Sequence, residues 1–408
     1  MTSDPKNRPN RAEAEDLLLR WRERFPITSR ANYLISNSLG AMPRDARESL
    51  SEFQRCWDER GVRAWGEVWW ELQERVAAVV ERVIGAPERT VSMHQNVASA
   101  TAVILSCFSF DGYRNRIVYS DRSFPSDQYA CEAMAARGAV LRRIPGDGQG
   151  IDLERFLDAI DERTRIVAID HVLFRSAFVV DAKAVAERAR EKGAFLILDV
   201  FHSCGTMPLK LREWGVHAAV GGALKYMCGG PGNCFLYVDP DARSDLRPSF
   251  TGWAAHRDPF AFSIAGQDYR DDAGRFHTGT PNIPALYAGR KGIEIVAGIG
   301  LDAIRAKSRR LTSLLVEEAD RAGLPLKSPR DPERRGGHVA LDVPHGHEVC
   351  RVLAEEDIVV DYRPDAGLRI APHFYNTEDE VRQAVRRVRE ILDSGDYRRF
   401  EGERRRPG

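Results

Sequence analysis

The sequence predicts an α/β fold, in which a large domain contains a mostly parallel sheet and a smaller α+β domain follows it. Two observations lead to this prediction. From residue 90 to about 240, short apolar runs alternate with segments of helical period, as in strands that are joined by crossover helices. At 408 residues the chain also exceeds the length of one ordinary domain.

The predicted strands of the large domain are short apolar runs bounded by polar or glycine residues. They lie at 116–120, 140–144, 166–169, 195–199, 218–221 and 234–238. Helical periods at 152–161 and 181–192 fall between them. Residues 44–84 are also helical in period, and the breaks at Gly61 and Gly66 place Trp65 on a predicted loop between two helices.

The C-terminal part begins with a long helical stretch at 283–322. Strands are predicted at 339–343, 358–362 and 368–370, and the segment from Thr377 to Glu380 is a capping box that begins a last helix. We therefore expect an N-terminal arm at 1–28, a large domain at 29–285 and a small domain at 286–408, to which the arm could also belong.

The composition limits the partners and the compartment of the protein. Sixty basic and sixty acidic residues cancel, so no overall field attracts nucleic acid or an anionic membrane. The N-terminus has no apolar signal segment, and no stretch approaches the roughly 20 apolar residues that span a bilayer. The seven cysteines form no Cys-x-x-Cys pattern, which predicts a cytoplasmic protein with neither disulfides nor a metal site.

Asp199 and Lys225 are the most informative residues of the chain. Each comes shortly after an apolar run, at the strand ends where open α/β sheets place their chemistry. An amine and a carboxylate in these positions suit pyridoxal 5'-phosphate, because the lysine forms a Schiff base and the carboxylate keeps the pyridine nitrogen protonated. The alternatives are a surface lysine at Lys225 and a helix-capping role for Asp199.

Several short motifs follow one another in the order and spacing of a known family. They are Asn37-Ser38-Leu39-Gly40, Phe124-Pro125-Ser126-Asp127, Asp199 with His202, Lys225-Tyr226 with Gly230-Pro231-Gly232, Gly252-Trp253 with His256, Gly279-Thr280-Pro281, and Arg369-Ile370-Ala371-Pro372. On these motifs the chain resembles the kynureninase-like branch of the class V aminotransferase superfamily. The likeness runs from about Tyr33 to Leu392 and implies the aspartate-aminotransferase fold (fold type I) with pyridoxal 5'-phosphate as cofactor.

The resemblance and the local pattern together predict three sets of site residues. The catalytic residues are Lys225, Asp199 and Tyr226. The cofactor-binding residues are Asn96, Val97, Phe124, Ser126, Asp127, Asp170, Asp199, His202, Lys225, Tyr226, Trp253 and Thr280. The substrate-binding residues are Asn37, Trp65, His256 and Arg369. The resemblance also implies a homodimer, in which the Gly279–Thr280–Pro281 loop reaches the phosphate of the neighbouring subunit.

Each role has a physical reason and an alternative. Phe124 offers a ring for stacking on the cofactor but could fill the core instead. Backbone N–H groups at Asn96 and Val97 could hold a phosphate, because a predicted strand meets a helix there. Arg369 could grip a substrate carboxylate with two hydrogen bonds or form a structural ion pair. Tyr226 is either a proton donor or a phosphate ligand, and His202 either orders the ring or makes a core hydrogen bond.

The chain departs from the family pattern at three places. It has His94-Gln95-Asn96 where kynureninases carry Asp-Ser-Thr, Asp170-His171-Val172 where they carry Thr-His-Val, and Gly222 where a polar residue is expected. We therefore predict an enzyme that acts on an L-α-amino acid by kynureninase-type hydrolysis of the Cβ–Cγ bond. Transamination, epimerisation and β-elimination on the same cofactor remain open, as does a catalytically silent binding protein.

Overall fold

The computed structural model describes residues 17–402. Most of the predicted N-terminal arm and the last six residues therefore lie outside the described part of the chain. The strands are β1 Asn32–Tyr33, β2 Val91–His94, β3 Arg116–Ser120, β4 Val140–Ile144, β5 Thr164–Asp170, β6 Phe195–Asp199, β7 Ala218–Gly222, β8 Cys234–Val238, β9 Val339–Leu341, β10 Ile358–Val359, β11 Asp361–Arg363 and β12 Gly367–Ile370.

The α-helices alternate with the central strands and then dominate the C-terminal part. They are α1 Asp45–Arg60, α2 Trp70–Ile84, α3 Val97–Leu105, α4 Pro125–Ala133, α5 Leu153–Asp158, α6 Ala182–Glu191, α7 Leu211–Trp214, α8 Pro240–Arg243, α9 Ile283–Ile299, α10 Leu301–Arg321, α11 Gly346–Glu355 and α12 Glu378–Ser394. The capping box predicted at Thr377 and Glu380 begins α12, so this prediction is confirmed.

The central sheet has seven strands in the order β2-β8-β7-β6-β5-β3-β4. Neighbouring strands from β4 to β7 run parallel, and β8 is antiparallel to both of its neighbours. Strands β7 and β8 are buried at every residue, as expected for a sheet covered on both faces. The predicted mostly parallel α/β sheet is confirmed.

A smaller α+β unit follows the central sheet. Strands β11, β12 and β9 form an antiparallel sheet in that order, which α11 and α12 cover with apolar faces. The N-terminal segment joins this unit, because β1 pairs with β10 and Arg22 forms an ion pair with Glu380 of α12. Two separate apolar cores meet along α10. Ile304 belongs to the core beside the central sheet, and Leu311 belongs to the core of the smaller unit. The division into arm, large domain and small domain stays a proposal.

The prediction for Trp65 was wrong. Trp65 does not lie on a loop, because Trp65–Trp69 form a π-helical turn that continues directly into α2. The predicted helical stretch at 283–322 consists of two helices, which meet at Gly300, whose positive φ of 88° ends α9. Among residues 17–402, no helix is long and apolar enough to cross a membrane, and no His, Cys, Asp and Glu side chains group as metal ligands.

Candidate active site

The carboxyl ends of neighbouring parallel strands bring the predicted catalytic residues together. Asp170 ends β5 and Asp199 ends β6, and the two residues are paired in the register of these strands. Lys225 follows the end of the next strand, β7, by three residues. The site therefore lies at the edge of the sheet where doubly wound folds bind their ligands.

The amine of Lys225 is almost completely buried. Only 8% of the residue is exposed, and its Nζ lies 2.7 Å from Nε2 of His202. The same nitrogen lies 4.0 Å from the ring centroid of Phe201 and 5.8 Å from that of Phe124. Burial lowers the pKa of Lys225 to about 8, although the charge of Asp199 opposes this shift. About one tenth of the amine is therefore uncharged at pH 7, far more than for an ordinary lysine.

Three buried carboxyl groups surround this amine. Asp199 accepts a hydrogen bond of 2.7 Å from the backbone N–H of Phe201, and Asp170 accepts one of 3.0 Å from that of Phe124. Burial and the charge of Asp199 raise the pKa of Asp170 to about 8. Burial and the charges of Asp199 and Asp170 also raise the pKa of Asp127 well above its usual value. These carboxyl groups cannot all be charged near neutral pH, so the cluster retains protons.

Asn96 and Val97 lie where β2 leads into α3. Asn96 is the N-cap residue of α3, and its Oδ1 accepts a hydrogen bond of 2.8 Å from the N–H of Ser99. The first N–H groups of a helix face outward and attract anions. Thr280 lies beside this helix start, in a cavity of about 280 Å³ that also includes His94 and Gln95. The same cavity is lined by Ser99 of α3.

Arg369 is more tightly held than the sequence indicates. Its Nε donates a hydrogen bond of 2.7 Å to Asp361, whose other carboxylate oxygen accepts from Nη2, and its Nη1 donates one of 2.6 Å to the carbonyl of Phe174. Asp361 is completely buried, and the guanidinium of Arg369 holds the pKa of this carboxyl below its usual value despite its burial. Asp361 takes the Nε hydrogen and one Nη2 hydrogen, and the carbonyl of Phe174 takes one Nη1 hydrogen. One hydrogen on each of Nη1 and Nη2 therefore remains for a second acceptor.

The loop that carries Asn37 packs against the backbone of the Lys225 segment. The N–H of Gly40 donates a hydrogen bond of 2.8 Å to the carbonyl of Leu224, and a Cβ at Gly40 would collide with the carbonyl oxygen of Lys225. Asn37 itself is fully buried, and neither its side-chain oxygen nor its nitrogen has a hydrogen-bond partner among residues 17–402. The loop thus presents an unpaired amide near the site.

The departure at Gly222 has a steric cause. A Cβ at this position would collide with the ring of Phe201, which also lies against the amine of Lys225. Gly222 therefore makes room for Phe201, which the sequence analysis did not select. Asp361 and His338 were also missed, although their buried side chains contact or face predicted site residues. No local sequence pattern identifies Asp361, because it meets Arg369 only through the register of two strands.

The remaining predicted residues have surroundings of their own. Trp65 packs edge-on against Trp69 with ring centroids 5.2 Å apart, and Trp253 packs against Trp70 at 5.0 Å. His256 is engaged with the backbone of Asp258. Ser126 is the second residue of α4. The hydroxyl of Tyr226 is buried against Gly337 and Thr206. The roles of these residues stay predictions.

The site fits pyridoxal 5'-phosphate on the evidence of its own side chains. Buried polar atoms of native proteins almost always have partners, yet Oδ2 of Asp127 and Oδ1 of Asp170 have none within residues 17–402. Both carboxyl groups interact electrostatically with the buried amine of Lys225. Phe124, which is 42% exposed, leaves a ring available for stacking above that amine. This combination suits a planar cofactor that has an aldehyde, a ring nitrogen and a phosphate.

Comparison with known proteins agrees with this geometry. The family model "Aminotransferase class-V" matches residues 33–386. A kynureninase of Burkholderia mallei (strain SAVP1) is 32% identical, with 95% of each chain covered, and one of Bacillus anthracis is 29% identical, with 91% of each covered. Among solved structures, the cysteine desulfurase of Thermococcus onnurineus NA1 superposes with a TM-score of 0.81 at 22% identity, covering 92% of this chain and 98% of that one.

The match extends over most of the chain, and the chain belongs to the class V aminotransferase family. It is an enzyme of the kynureninase-like branch, its cofactor is pyridoxal 5'-phosphate, and the predicted fold type I architecture is confirmed. The likeness to the cysteine desulfurase, at its low identity, bears on the fold alone.

Proposed function

We propose that this protein hydrolyses the Cβ–Cγ bond of an L-α-amino acid that carries a carbonyl group at Cγ. In this reaction one water is consumed and two products form, a carboxylic acid from the side chain and alanine. The observation that carries the proposal is the buried, partly uncharged amine of Lys225 beside Asp199, in a chain that is similar to curated kynureninases over nearly its whole length.

The chain would hold the cofactor through four contacts. Lys225 would bind the aldehyde carbon, Asp199 the protonated ring nitrogen, and Phe124 one face of the ring. The start of α3 at Asn96 would hold the phosphate. When bound, pyridoxal 5'-phosphate supplies a ring that draws off the negative charge developing at the substrate α-carbon.

Arg369 would hold the α-carboxylate of the substrate. Its pairing with Asp361 orients the guanidinium and leaves two parallel N–H groups for a second carboxylate. Asn37, whose buried amide has no partner in the described chain, would add a donor on the other side. These contacts would fix which bond at the α-carbon faces the ring.

Lys225 and Asp170 are suited to move protons in this reaction. The pKa of Lys225 is lowered to about 8 by burial, so its free amine can take the α-proton near neutral pH. The pKa of Asp170 is raised to about 8 by burial and by Asp199, so this side chain can give a proton to the carbonyl oxygen at Cγ and take it back. Asp170 offers this chemistry whether or not the hydroxyl of Tyr226 takes part.

Identification of the products tests the function. The cofactor-loaded enzyme should convert L-kynurenine or another amino acid with a γ-carbonyl into alanine and an acid in equal amounts, and the Lys225→Ala variant should not. Pyruvate with ammonia would indicate β-elimination. The 2-oxo acid of the substrate would indicate transamination, and the D-isomer of the substrate would indicate epimerisation. Each of these three results would contradict the proposal while leaving the cofactor assignment intact.

We also propose that the enzyme is a homodimer whose subunits share their active sites. Large apolar side chains on the segment after β8 are exposed in the single chain, and they are Phe250, Trp253, Phe260, Phe262 and Ile264. An apolar surface of this kind, next to the Thr280 loop, is typical of a contact between protein chains. All seven cysteines are free thiols, which supports the cytoplasm as the compartment.

A further inference from the structure

His202 accepts a hydrogen bond from the amine of Lys225, and this contact determines its tautomer. The two nitrogens lie 2.7 Å apart, and while Lys225 carries its proton, the ammonium can only donate. Burial, followed by the charge of Lys225, lowers the pKa of His202 well below its usual value, so the ring is neutral. When Nε2 of a neutral imidazole accepts, the ring proton must be on Nδ1.

The Nδ1–H of His202 needs an acceptor of its own. The residue is only 4% exposed, and its Nδ1 has no hydrogen-bond partner among residues 17–402. A buried donor without an acceptor is costly, and the cost would favour the other tautomer, which cannot accept from Lys225. Some group near His202 must therefore stabilise the tautomer that the Lys225 contact requires.

His338 is the neighbour that has the complementary capacity. Its ring centroid lies 5.9 Å from that of His202, and the residue is completely buried. A hydrogen bond to the backbone carbonyl of Arg175 occupies one ring nitrogen of His338 and opposes the lowering of its pKa. Burial, with a further contribution from Arg369, lowers the pKa of His338 to about 3. The ring is therefore neutral, with one nitrogen free to accept.

We propose that His338 is a positioning residue that acts on Lys225 through His202. In this arrangement one buried water joins the two rings. The water accepts a hydrogen bond from Nδ1–H of His202 and donates one to a ring nitrogen of His338. A centroid separation of 5.9 Å is too long for a direct hydrogen bond and suits a single bridging water. His338 thereby holds His202 in the tautomer that accepts from the amine. The inference rests on the proposed role of Lys225 as the reactive amine.

Other titratable groups also face this chain of contacts. Those near Lys225 are Asp127, Asp170, Asp199, Cys204 and Arg369, and those near His338 are Asp361 and Arg369. Because His338 is neutral, its replacement by a neutral side chain leaves all of these charges in place. A change in the pKa of Lys225 would then report on the hydrogen-bond chain.

The test measures the pKa of Lys225 directly in the full-length chain after removal of the cofactor with hydroxylamine. Trace acetylation with acetic anhydride across pH, read by peptide mass mapping, gives the pKa without any turnover. In His338→Leu the pKa of Lys225 should fall by about half a unit to one unit. His202 would no longer be held in the tautomer whose Nε2 accepts a hydrogen bond from the ammonium. His338→Gln, which keeps an acceptor and a donor, should restore most of the loss.

A double-mutant cycle shows whether the effect passes through His202. His202→Leu alone should lower the pKa of Lys225, and adding His338→Leu should lower it no further. An unchanged pKa in His338→Leu, equal falls in the Leu and Gln variants, or a further fall in the His202→Leu background would overturn the proposal. Since no product is measured, a failed substrate assignment and a failed role for His338 remain distinguishable.

Discussion

At the scale of single residues, the site contains several buried carboxyl groups that would repel one another if all were charged. Asp127, Asp170 and Asp199 are held near one amine, and burial raises the pKa of all three carboxyl groups. Such a cluster opposes folding unless protons or a ligand compensate it. Binding of a cationic ring beside these carboxyl groups would therefore relieve a conflict that the chain creates in its own structure.

The pH dependence of stability should expose this conflict at Asp170. Its pKa in the folded chain is about 8, above the ordinary value of 3.8, so the folded state loses stability as pH rises between these values. In the cofactor-free chain, Asp170→Asn should therefore gain stability relative to the original chain as pH rises from 5 to 8, by at most about 1.4 kcal/mol per pH unit. Reversible urea unfolding measures the difference.

The matched control for this prediction is Asp147→Asn. The side chain of Asp147 is exposed on the loop after β4, so the relative stability of this variant should not depend on pH in the same range. A difference between Asp170→Asn and the original chain that stays constant from pH 5 to 8 would show that Asp170 is already ionised at low pH.

Replacement of Arg369 by lysine should weaken substrate binding. Lysine cannot present two parallel N–H groups, so the substrate carboxylate would lose about 1.5–3 kcal/mol, or roughly tenfold to a hundredfold in affinity. The dissociation constant from spectral titration should rise accordingly, while the spectrum of the resting holoenzyme stays normal. Unchanged affinity would place the carboxylate elsewhere, with Asn37 as the next candidate.

Arg363→Lys is the control for Arg369→Lys. Arg363 also forms an ion pair with Asp361, at 3.2 Å, and it lies on the same strand, β11. Its side chain is 29% exposed, in contrast to the buried Arg369. Both substitutions disturb the surroundings of Asp361, whereas only Arg369→Lys removes the proposed carboxylate fork. Equal weakening in the two variants would indicate a structural effect on Asp361.

At the scale of elements, the site depends on close contact between a loop and a strand end. The loop after β1 lies against the segment after β7 so closely that Gly40 has no room for a side chain. This contact joins the N-terminal segment, which pairs with β10 and contacts α12, to the Lys225 segment. Movement of the small unit can therefore reach Asn37 and Lys225 together.

Gly40→Ala should disturb the site through the backbone, without replacing any predicted site residue. The added methyl would overlap with the backbone of Lys225 and Cys228, at a cost of about 1–3 kcal/mol. We expect a lower melting temperature and weaker uptake of the cofactor, measured by thermal unfolding and by absorbance. Gly66→Ala is the control, because a Cβ there meets no atom within 4 Å. Equal behaviour of the two variants would argue against a tight loop contact.

At the scale of the whole molecule, the shared site of the proposed dimer can be tested by mixing inactive chains. Lys225→Ala and Thr280→Ala should each be inactive alone. In a mixed dimer one site combines both substitutions and the other combines neither, so equal mixing should restore about a quarter of the original activity. Recovery should require reassembly from separated chains. A fully active monomer in light scattering would contradict the shared site.

The sequence alone determined the order of the elements and the position of the reacting groups along the chain. Apolar runs that end in Asp170 and Asp199 are local patterns, and parallel strands necessarily bring their carboxyl ends to one edge. The family motifs then named the cofactor and predicted the loops that would surround it. These properties are readable because they depend on periodicity and on residues that are close in sequence.

The tertiary structure alone decided which distant side chains meet. Arg369 pairs with Asp361 because β12 and β11 place them opposite each other, and a shift of one residue would separate them. His338 meets His202 only because the small unit packs against the central sheet. Sequence periodicity records which face of an element is buried, but the register of strands and the docking of separate units determine what lies across from it.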